Sequence, residues 1–455
     1  MKRHFIIFGA TGDLTFRYLI PALSELYDAD NLPDGFSIIG VARKDWDTES
    51  FRRHIDEKLE RLSPGITSSS RKAMLDMLEY RQADASIRED ILEALGPVKE
   101  PAVFYLALPP GLFGPVVEAL AAMNIPEGSA IVIEKPFGED ISSAQTLNHL
   151  LHMNFPEHMV FRIDSFLGEQ TVHNILGLRF ANRIFEPLWN GLHIEKVEII
   201  WDETLTLEGR ASYYDKVGAL KDMIQNHLLQ LLCIIAMEPP CTLSERDFRD
   251  RKVDVMRAVR RLTEEEVRRW TVRGRYSKGR IREHKVPAYI DEEGIDPERR
   301  TETFAGVTLW IDNWRWAGVP FILRTGKALA GDRMEIILTF KPLPHLAFGK
   351  DTVRRNIIRL ELNPDRIALG VNITTPCEAL DLKYTELTRK LTPQRLSAYA
   401  RLLLHIMDGR QNLFIRDDEA EESWRIVEPI LEVWSQDKVP LAEYPAGSEG
   451  SKITE

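Results

Sequence analysis

Phe5-Ile-Ile-Phe8 is a short apolar run that ends directly in Gly9-Ala10-Thr11-Gly12-Asp13-Leu14, and helical periodicity follows through Leu19, Leu23 and Leu26. The order strand, glycine turn, helix constrains what the chain can become more than any other stretch. Two glycines separated by two residues also occur in plain tight turns, so the spacing alone decides little. Their place between a first strand and a first helix does more, because backbone N–H groups and the helix dipole at such a junction can receive a pyrophosphate.

The pattern repeats. Phe36-Ser-Ile-Ile-Gly-Val-Ala42 reads as a second strand ending at Arg43-Lys44, and a polar helix-rich stretch follows to about Glu100. A third strand is expected at Ala102–Leu108, stopped by Pro109-Pro110, then a helix over Leu112–Met123 and a fourth strand at Ala130–Ile133. Strands alternating with helices at this spacing imply right-handed crossovers and a doubly wound, parallel, Rossmann-like α/β domain, placed at residues 1–160. The end of the second strand is where such folds read the adenosine ribose, an acid there favouring NAD and a cation accommodating a 2′-phosphate. Arg43 stands there, so NADP is expected, with NAD as the alternative and a solvated surface arginine as the plain one.

Beyond about residue 160 the chain changes to longer strands, such as Val197–Trp201 and Met334–Phe340, interrupted by polar helices. That implies an α+β domain over 161–455 with a large, mostly antiparallel sheet and helices. A polar tail after Pro445 reads as loose. Leu220–Ala236 reads as a helix that becomes apolar toward its end and stops at Pro239-Pro240. From spacing alone its His227 is more simply a satisfied core histidine than a catalyst.

Net charge is −11 and no Lys/Arg run tracks a phosphate backbone, which argues against nucleic acid and anionic membrane. Cys233, Cys241 and Cys377 are odd in number and lack CxxC spacing, so neither a disulfide framework nor a metal site is expected. With no signal-like or 18-residue apolar run, the expected location is cytoplasmic.

The motifs then become specific. Gly9–Leu14, Val41-Ala-Arg43, Phe104–Pro110, Glu134-Lys-Pro-Phe-Gly138, Arg162-Ile-Asp164, Leu178–Arg183, Asp222–His227, Trp314–Pro320 and Arg324–Lys327 resemble, in order, those of the glucose-6-phosphate dehydrogenase family. The resemblance implies oxidation of C1 of an aldohexopyranose to the 1,5-lactone by hydride transfer to NADP+. It implies His227 as general base and Asp164 as its carboxylate partner, since an imidazole titrating near ~6.5 can take the O1 proton and a carboxylate on its other nitrogen fixes the tautomer. Lys135 is implied between sugar and nicotinamide, with Pro136 cis. Gly9, Ala10, Thr11, Gly12, Asp13, Leu14, Arg43, Tyr105 and Lys135 are implied at the cofactor, and Glu203, Asp222, Lys327 and Asn363 at the sugar hydroxyls. The family's sheet also pairs two subunits, so a homodimer or homotetramer is expected.

One stretch departs from that family. Where it carries Arg-Ile-Asp-His-Tyr-Leu-Gly-Lys, this chain has Ser165, Phe166 and Glu169 in place of the histidine, tyrosine and lysine. Tyr18 aligns with a lysine of the first helix and Asp332 with a basic residue after Lys327, although Arg333 is adjacent. A phosphate monoester carries about −1.5 to −2 charges and wants cationic donors. A carboxylate ~4 Å from it costs on the order of 4 kcal/mol at an effective dielectric of ~20. The expectation is therefore a small-molecule hexose with a neutral or amino group at C6. The alternatives are an ordinary glucose-6-phosphate dehydrogenase whose phosphate clamp moves to Arg17, Lys221 or Arg333, and a non-catalytic regulatory homologue.

Overall fold

The computed structural model describes residues 1–207, 209–348, 353–374, 382–392 and 394–451, so Cys377 lies outside the described residues. The chain forms two compact units, Met1–Glu169 with Pro240–Arg249 and Gln394–Glu421, and Gln170–Pro239 with Asp250–Pro393 and Glu422–Glu455.

The first unit is built on a six-stranded parallel sheet. Its strands are β1 (His4–Phe8), β2 (Ser37–Ala42), β3 (Leu78–Gln82), β4 (Ala102–Leu106), β5 (Ala130–Glu134) and β6 (Val160–Ile163). They lie in the order β3-β2-β1-β4-β5-β6. The order reverses between β1 and β4, which opens the crevice where doubly wound sheets take ligands. Near-continuous burial of β1, β4 and β5 follows from helices on both faces. β3 falls inside the stretch that reads as helix-rich; its alternating Leu78-Glu-Tyr80-Arg marks a half-buried edge strand that four residues of polar-apolar alternation do not distinguish from helix.

The expected boundary at 160/161 differs from this division. The helix Ala398–Asp408 buries Ala400, Leu402, Leu403, Ile406 and Met407 in the same core as Leu19, Leu23 and Leu26. Farther on, Gln411 donates to the Val160 carbonyl at 2.9 Å and Ile415 N–H to that of Arg162 at 3.1 Å, so this segment covers the open edge of β6. An apolar stripe of period 3.6 says that a helix is buried, not which core it joins.

The second unit carries β7 (Ile194–Asp202), β8 (Thr271–Ser277), a hairpin of β9 (Gly279–Ile281) and β10 (His284–Val286), β11 (Phe304–Trp310), β12 (Pro320–Gly326), β13 (Arg333–Phe340), β14 (Ile357–Leu362), β15 (Asp365–Thr374), β16 (Leu382–Lys390) and β17 (Leu441–Pro445). The main sheet is mixed, in the order β16-β15-β14-β13-β7-β12-β11-β8-β17, with β7/β12 and β8/β17 parallel and the other described pairs antiparallel. The tail after Pro445 is tied down as far as Glu449, whose carbonyl accepts from the Arg324 guanidinium at 2.6 Å. Gly447 N–H reaches the Ala328 carbonyl at 2.8 Å and Ala330 N–H that of Ser448 at 2.9 Å.

Candidate active site

In the first unit β1 runs into the glycine turn as expected. Gly9 holds φ +79°, and a Cβ there would stand 2.3 Å from the Ala107 carbonyl oxygen, so only glycine fits without moving the β4 loop. Gly9 N–H is held by the Val41 carbonyl at 2.9 Å and Gly12 N–H turns back to Gly9 at 2.9 Å. Ala10 is buried beneath the turn, whereas Gly12 and Asp13 are exposed, with Thr11 and Leu14 between these extremes. The helix then opens as a wide π turn, Thr15–Leu19, in which Ile20 N–H bonds the Thr15 carbonyl, before continuing as Ile20–Asp28. This cradle of backbone at a helix start fits a pyrophosphate.

Arg43 is exposed at the end of β2 and borders a cavity of about 650 Å³ with Gln82 and Asp84. The Asp84 carboxyl is held below its ordinary range by the Ser86 hydroxyl and N–H, with a smaller contribution from Arg43. Arg43 therefore has an acid nearby but, among the described residues, is not locked in an ion pair, which leaves its guanidinium able to take up a phosphate.

At the end of β5 stands a group that the sequence reading passes over. Glu134 accepts from the Tyr105 hydroxyl and, at 3.3 Å, from the Tyr399 hydroxyl. Burial pushes its carboxyl up to about 7, partly offset by the Tyr105 hydrogen bond and Lys135, while the charge of Asp164 pushes the same way as burial. Tyr105 is fully buried, so its hydroxyl serves Glu134 and the ring presents no outer face. The Lys135–Pro136 peptide is cis. Asp164 is buried after β6, and its Oδ1 accepts from Phe166 N–H at 3.0 Å. Ser165 and Glu169 bracket the following turn, both partly exposed. Tyr18 is half exposed and stacks on Tyr399, with centroids 5.1 Å apart and planes at 25°. Nothing in the sequence links residue 18 to residue 399; only the fold does.

In the second unit, strand register gathers the expected sugar-reading residues. Asp202 pairs with both Gly326 and Arg333, so Glu203, Lys327 and Asp332 leave the sheet at one end. Asn363 turns there between β14 and β15, exposed, with its peptide to Pro364 cis. Lys327 Nζ binds Glu203 Oε2 at 2.7 Å and lies 5.4 Å from the Tyr214 ring centre. Asp332 Oδ1 accepts from Thr204 N–H at 2.7 Å and from its hydroxyl at 2.9 Å. That acid pins the turn after Glu203. Arg333 is paired with buried Glu335, which Arg359 also holds at 2.7 Å.

The expected helix 220–236 is two segments. Leu220–Leu228 is wound as a π-helix, with Leu229 N–H reaching the Ile224 carbonyl, and Leu229–Ala236 is α-helical. The wide turn is held by Asn226, whose amide donates to the Lys221 carbonyl at 2.9 Å and whose Oδ1 accepts from His227 N–H at 2.6 Å. His227 is buried in this turn, the kind of irregular winding that recurs at functional sites. Asp222 is partly buried one turn earlier. Its charge adds to the burial that raises the hydroxyls of Tyr213, to about 12, and Tyr214. The helix starts at a buried carboxylate: Leu220 N–H donates to Glu302 Oε1 at 3.0 Å, beside Gly218 at φ +72°, whose missing Cβ leaves room for Glu302. Sequence reading gave no sign of Glu302.

Residues 6–174 match the model of the glucose-6-phosphate dehydrogenase NAD-binding domain, and residues 176–455 that of the C-terminal domain. The chain belongs to the glucose-6-phosphate dehydrogenase family. It is 41% identical to glucose-6-phosphate 1-dehydrogenase of Treponema pallidum over 99% of this chain and 92% of that one. With the enzyme of that name from Mycolicibacterium smegmatis identity is also 41%, over 98% of this chain and 94% of the relative. Among solved structures, glucose-6-phosphate 1-dehydrogenase from Mycobacterium avium superposes with a TM-score of 0.87 at 32% identity, covering 99% of this chain and 96% of that one. A glucose-6-phosphate dehydrogenase bound to its substrate glucose-6-phosphate gives 0.89 at 30% identity, covering 100% and 99%. The fold read from the sequence, a Rossmann-like domain followed by a large-sheet domain, is that of this family, and the chain is an oxidoreductase of it. No described helix is long and apolar enough to cross a membrane.

Proposed function

We propose that the chain is an NADP-dependent glucose-6-phosphate 1-dehydrogenase of the cytoplasm, with its sugar phosphate held by cations other than those at the usual positions. The relatives at 41% identity over nearly the whole chain carry this reading, and they favour it over the phosphate-free sugar expected from charge alone. Asp332, whose Oδ1 accepts from the N–H and the hydroxyl of Thr204, has a turn-forming role of its own in this reading.

In this reading NADP+ supplies a hydride acceptor at its nicotinamide. His227 takes the O1 proton as hydride leaves C1, and Asp164 orients the imidazole and stabilises the imidazolium. Glu203, Asp222, Lys327 and Asn363 read the hydroxyls, Lys135 spans sugar and nicotinamide, and Lys221 or Arg17 holds the phosphate. Arg17 is half exposed and only loosely held by Asp13, at 3.6 Å. The turn around Gly9–Leu14 takes the pyrophosphate and Arg43 the 2′-phosphate.

A second reading rests on Ser165, Glu169 and Tyr18. Tyr18 is engaged with Tyr399 and offers no cation, so a hexose bearing a neutral or amino C6 remains the competing substrate. NADPH formation followed at 340 nm with glucose 6-phosphate, glucose and 6-amino-6-deoxyglucose separates the two. A micromolar KM for the phosphate ester upholds the first; higher kcat/KM for either unphosphorylated sugar replaces it with the second.

A further inference from the structure

The cavity at Arg43 carries more negative charge than a site shaped for a phosphate alone would. Besides Arg43 it is lined by one other cation, Arg81, and by three acids, Asp84, Asp90 and Glu93. Arg81 is engaged elsewhere: its guanidinium binds Glu79 at 2.9 Å and the carbonyls of Ala94 and Leu95, each at 3.1 Å. Among the described residues, Arg43 is then the one guanidinium without a fixed partner in a cavity with three carboxylates. A phosphate monoester wants cationic donors, so the acids need a reason to be there.

Strand register brings the opposed charges together. β2 and β3 run parallel with Ala42 paired to Gln82, so Arg43 and Ala83 are the next residues out and Asp84 follows directly. Neighbouring strands lie about 4.8 Å apart, and two ties hold the chains together just past the sheet. Ala83 N–H donates to the Ala42 carbonyl at 3.0 Å, and the Gln82 amide to the Arg43 carbonyl at 3.3 Å. Asp84 itself is pinned. Its Oδ1 accepts from Ser86 N–H at 2.9 Å and from the Ser86 hydroxyl at 2.7 Å, while its own N–H donates to Asp90 Oδ2 at 3.3 Å. The Ser86 donors, and to a lesser extent Arg43, hold the carboxyl below its ordinary range, so its charge is present at neutral pH. Turn formation accounts for the Ser86 contacts. It does not account for a fixed anion beside the cation at the end of β2.

That anion acts differently on the two nicotinamide cofactors. The 2′-phosphate of NADP carries about −1.5 to −2 charges; Asp84 repels it and also attracts the guanidinium that should receive it. NAD presents a neutral ribose hydroxyl and meets neither penalty. Specificity is a difference of two affinities, and a repulsive element lowers one of them. On the reading that Arg43 takes the 2′-phosphate, we infer that Asp84 is a specificity-determining residue that blunts the preference for NADP and leaves NAD usable at the same site.

Adenosine 2′,5′-bisphosphate and 5′-AMP differ only in the 2′-phosphate, so calorimetric titration of the full chain with each, at low ionic strength, isolates this contact from the rest of the cofactor. Asp84→Asn keeps an oxygen for Ser86 and removes the charge. In that variant the bisphosphate Kd should fall by roughly three- to tenfold while the 5′-AMP Kd changes by less than about twofold. The ratio of kcat/KM for NADP to that for NAD should rise by a similar factor. A preference for the bisphosphate over 5′-AMP that is unchanged or lower in Asp84→Asn overturns the assignment. Arg43→Ala, titrated alongside, separates two failures. If it weakens the bisphosphate while Asp84→Asn has no effect, only the role of Asp84 falls; if it leaves the bisphosphate unaffected, the 2′-phosphate lies elsewhere and both roles fall.

Discussion

Glu302 is the residue whose replacement should report most directly on how the His227 helix is set. Its Oε1 accepts from Leu220 N–H at 3.0 Å in a buried position, and Ala219 N–H bonds its carbonyl at 3.1 Å, so both ends of the residue hold the start of the helix. Glu302→Ala leaves the Leu220 amide buried without an acceptor, at a cost of about 1–3 kcal/mol. The helix start is also freed to shift, and a displacement of ~1 Å of a catalytic group costs on the order of 100-fold in rate. Glu302→Gln keeps an oxygen for Leu220 and removes a carboxyl whose charged form is disfavoured by burial. The expected result is a kcat lowered 10- to 100-fold in the alanine variant, with KM for NADP unchanged because the glycine turn belongs to the other unit, and substantial recovery in the glutamine variant. Steady-state kinetics and urea unfolding of the three proteins supply both readouts. Wild-type kcat in Glu302→Ala, or equal loss in both variants, would refute the idea that the carboxylate acts by positioning this helix.

Arg43→Ala should raise KM for NADP well above any change in KM for NAD, and an unaltered ratio of the two removes Arg43 from the 2′-phosphate. His227→Asn should lower kcat by several decades with NADP binding retained, measured by fluorescence titration; near-normal turnover would exclude it as the base. Ser165→His combined with Glu169→Lys should raise kcat/KM for glucose 6-phosphate relative to glucose by ten- to a hundredfold, and no change would mean that the 165–169 turn does not face C6. Glu134 should tilt the pH dependence of stability. A carboxyl raised from 4.5 to about 7 holds its proton more tightly when folded, so stability is lost as pH rises from 4.5 through 7. Glu134→Gln should flatten that slope, and identical pH profiles for the two proteins would contradict it.

The glycine turn and the parallel character of the first sheet were legible because short-range rules govern them: a strand, a backbone cradle and a helix lie next to one another in the chain. The runs Val197–Trp201 and Met334–Phe340 likewise read as strands before any sheet was known. What sequence could not show depends on distant pairing. Tyr18 reads as a lost cation, and only its stacking on Tyr399 shows that the ring is engaged. Asp332 reads as an acid aimed at substrate, and only the β7–β13 register puts it on Thr204. The π winding at His227 had no periodic signature, because one extra residue in a turn is within the tolerance of any helical pattern.

The helix Ala398–Asp408 has a consequence for how the protein is made. The amino-terminal unit buries Leu19 and Leu23 against a segment translated more than two hundred residues later. At roughly 5–20 residues per second the ribosome needs on the order of 10–50 s to deliver it. During that interval the nascent nucleotide-binding sheet is complete in its strands but has an open apolar flank, a natural target for a holding chaperone. A fragment ending at the close of the amino-terminal family match should inherit this defect permanently and aggregate, while the same fragment joined by a flexible linker to residues 394–421 should stay in solution.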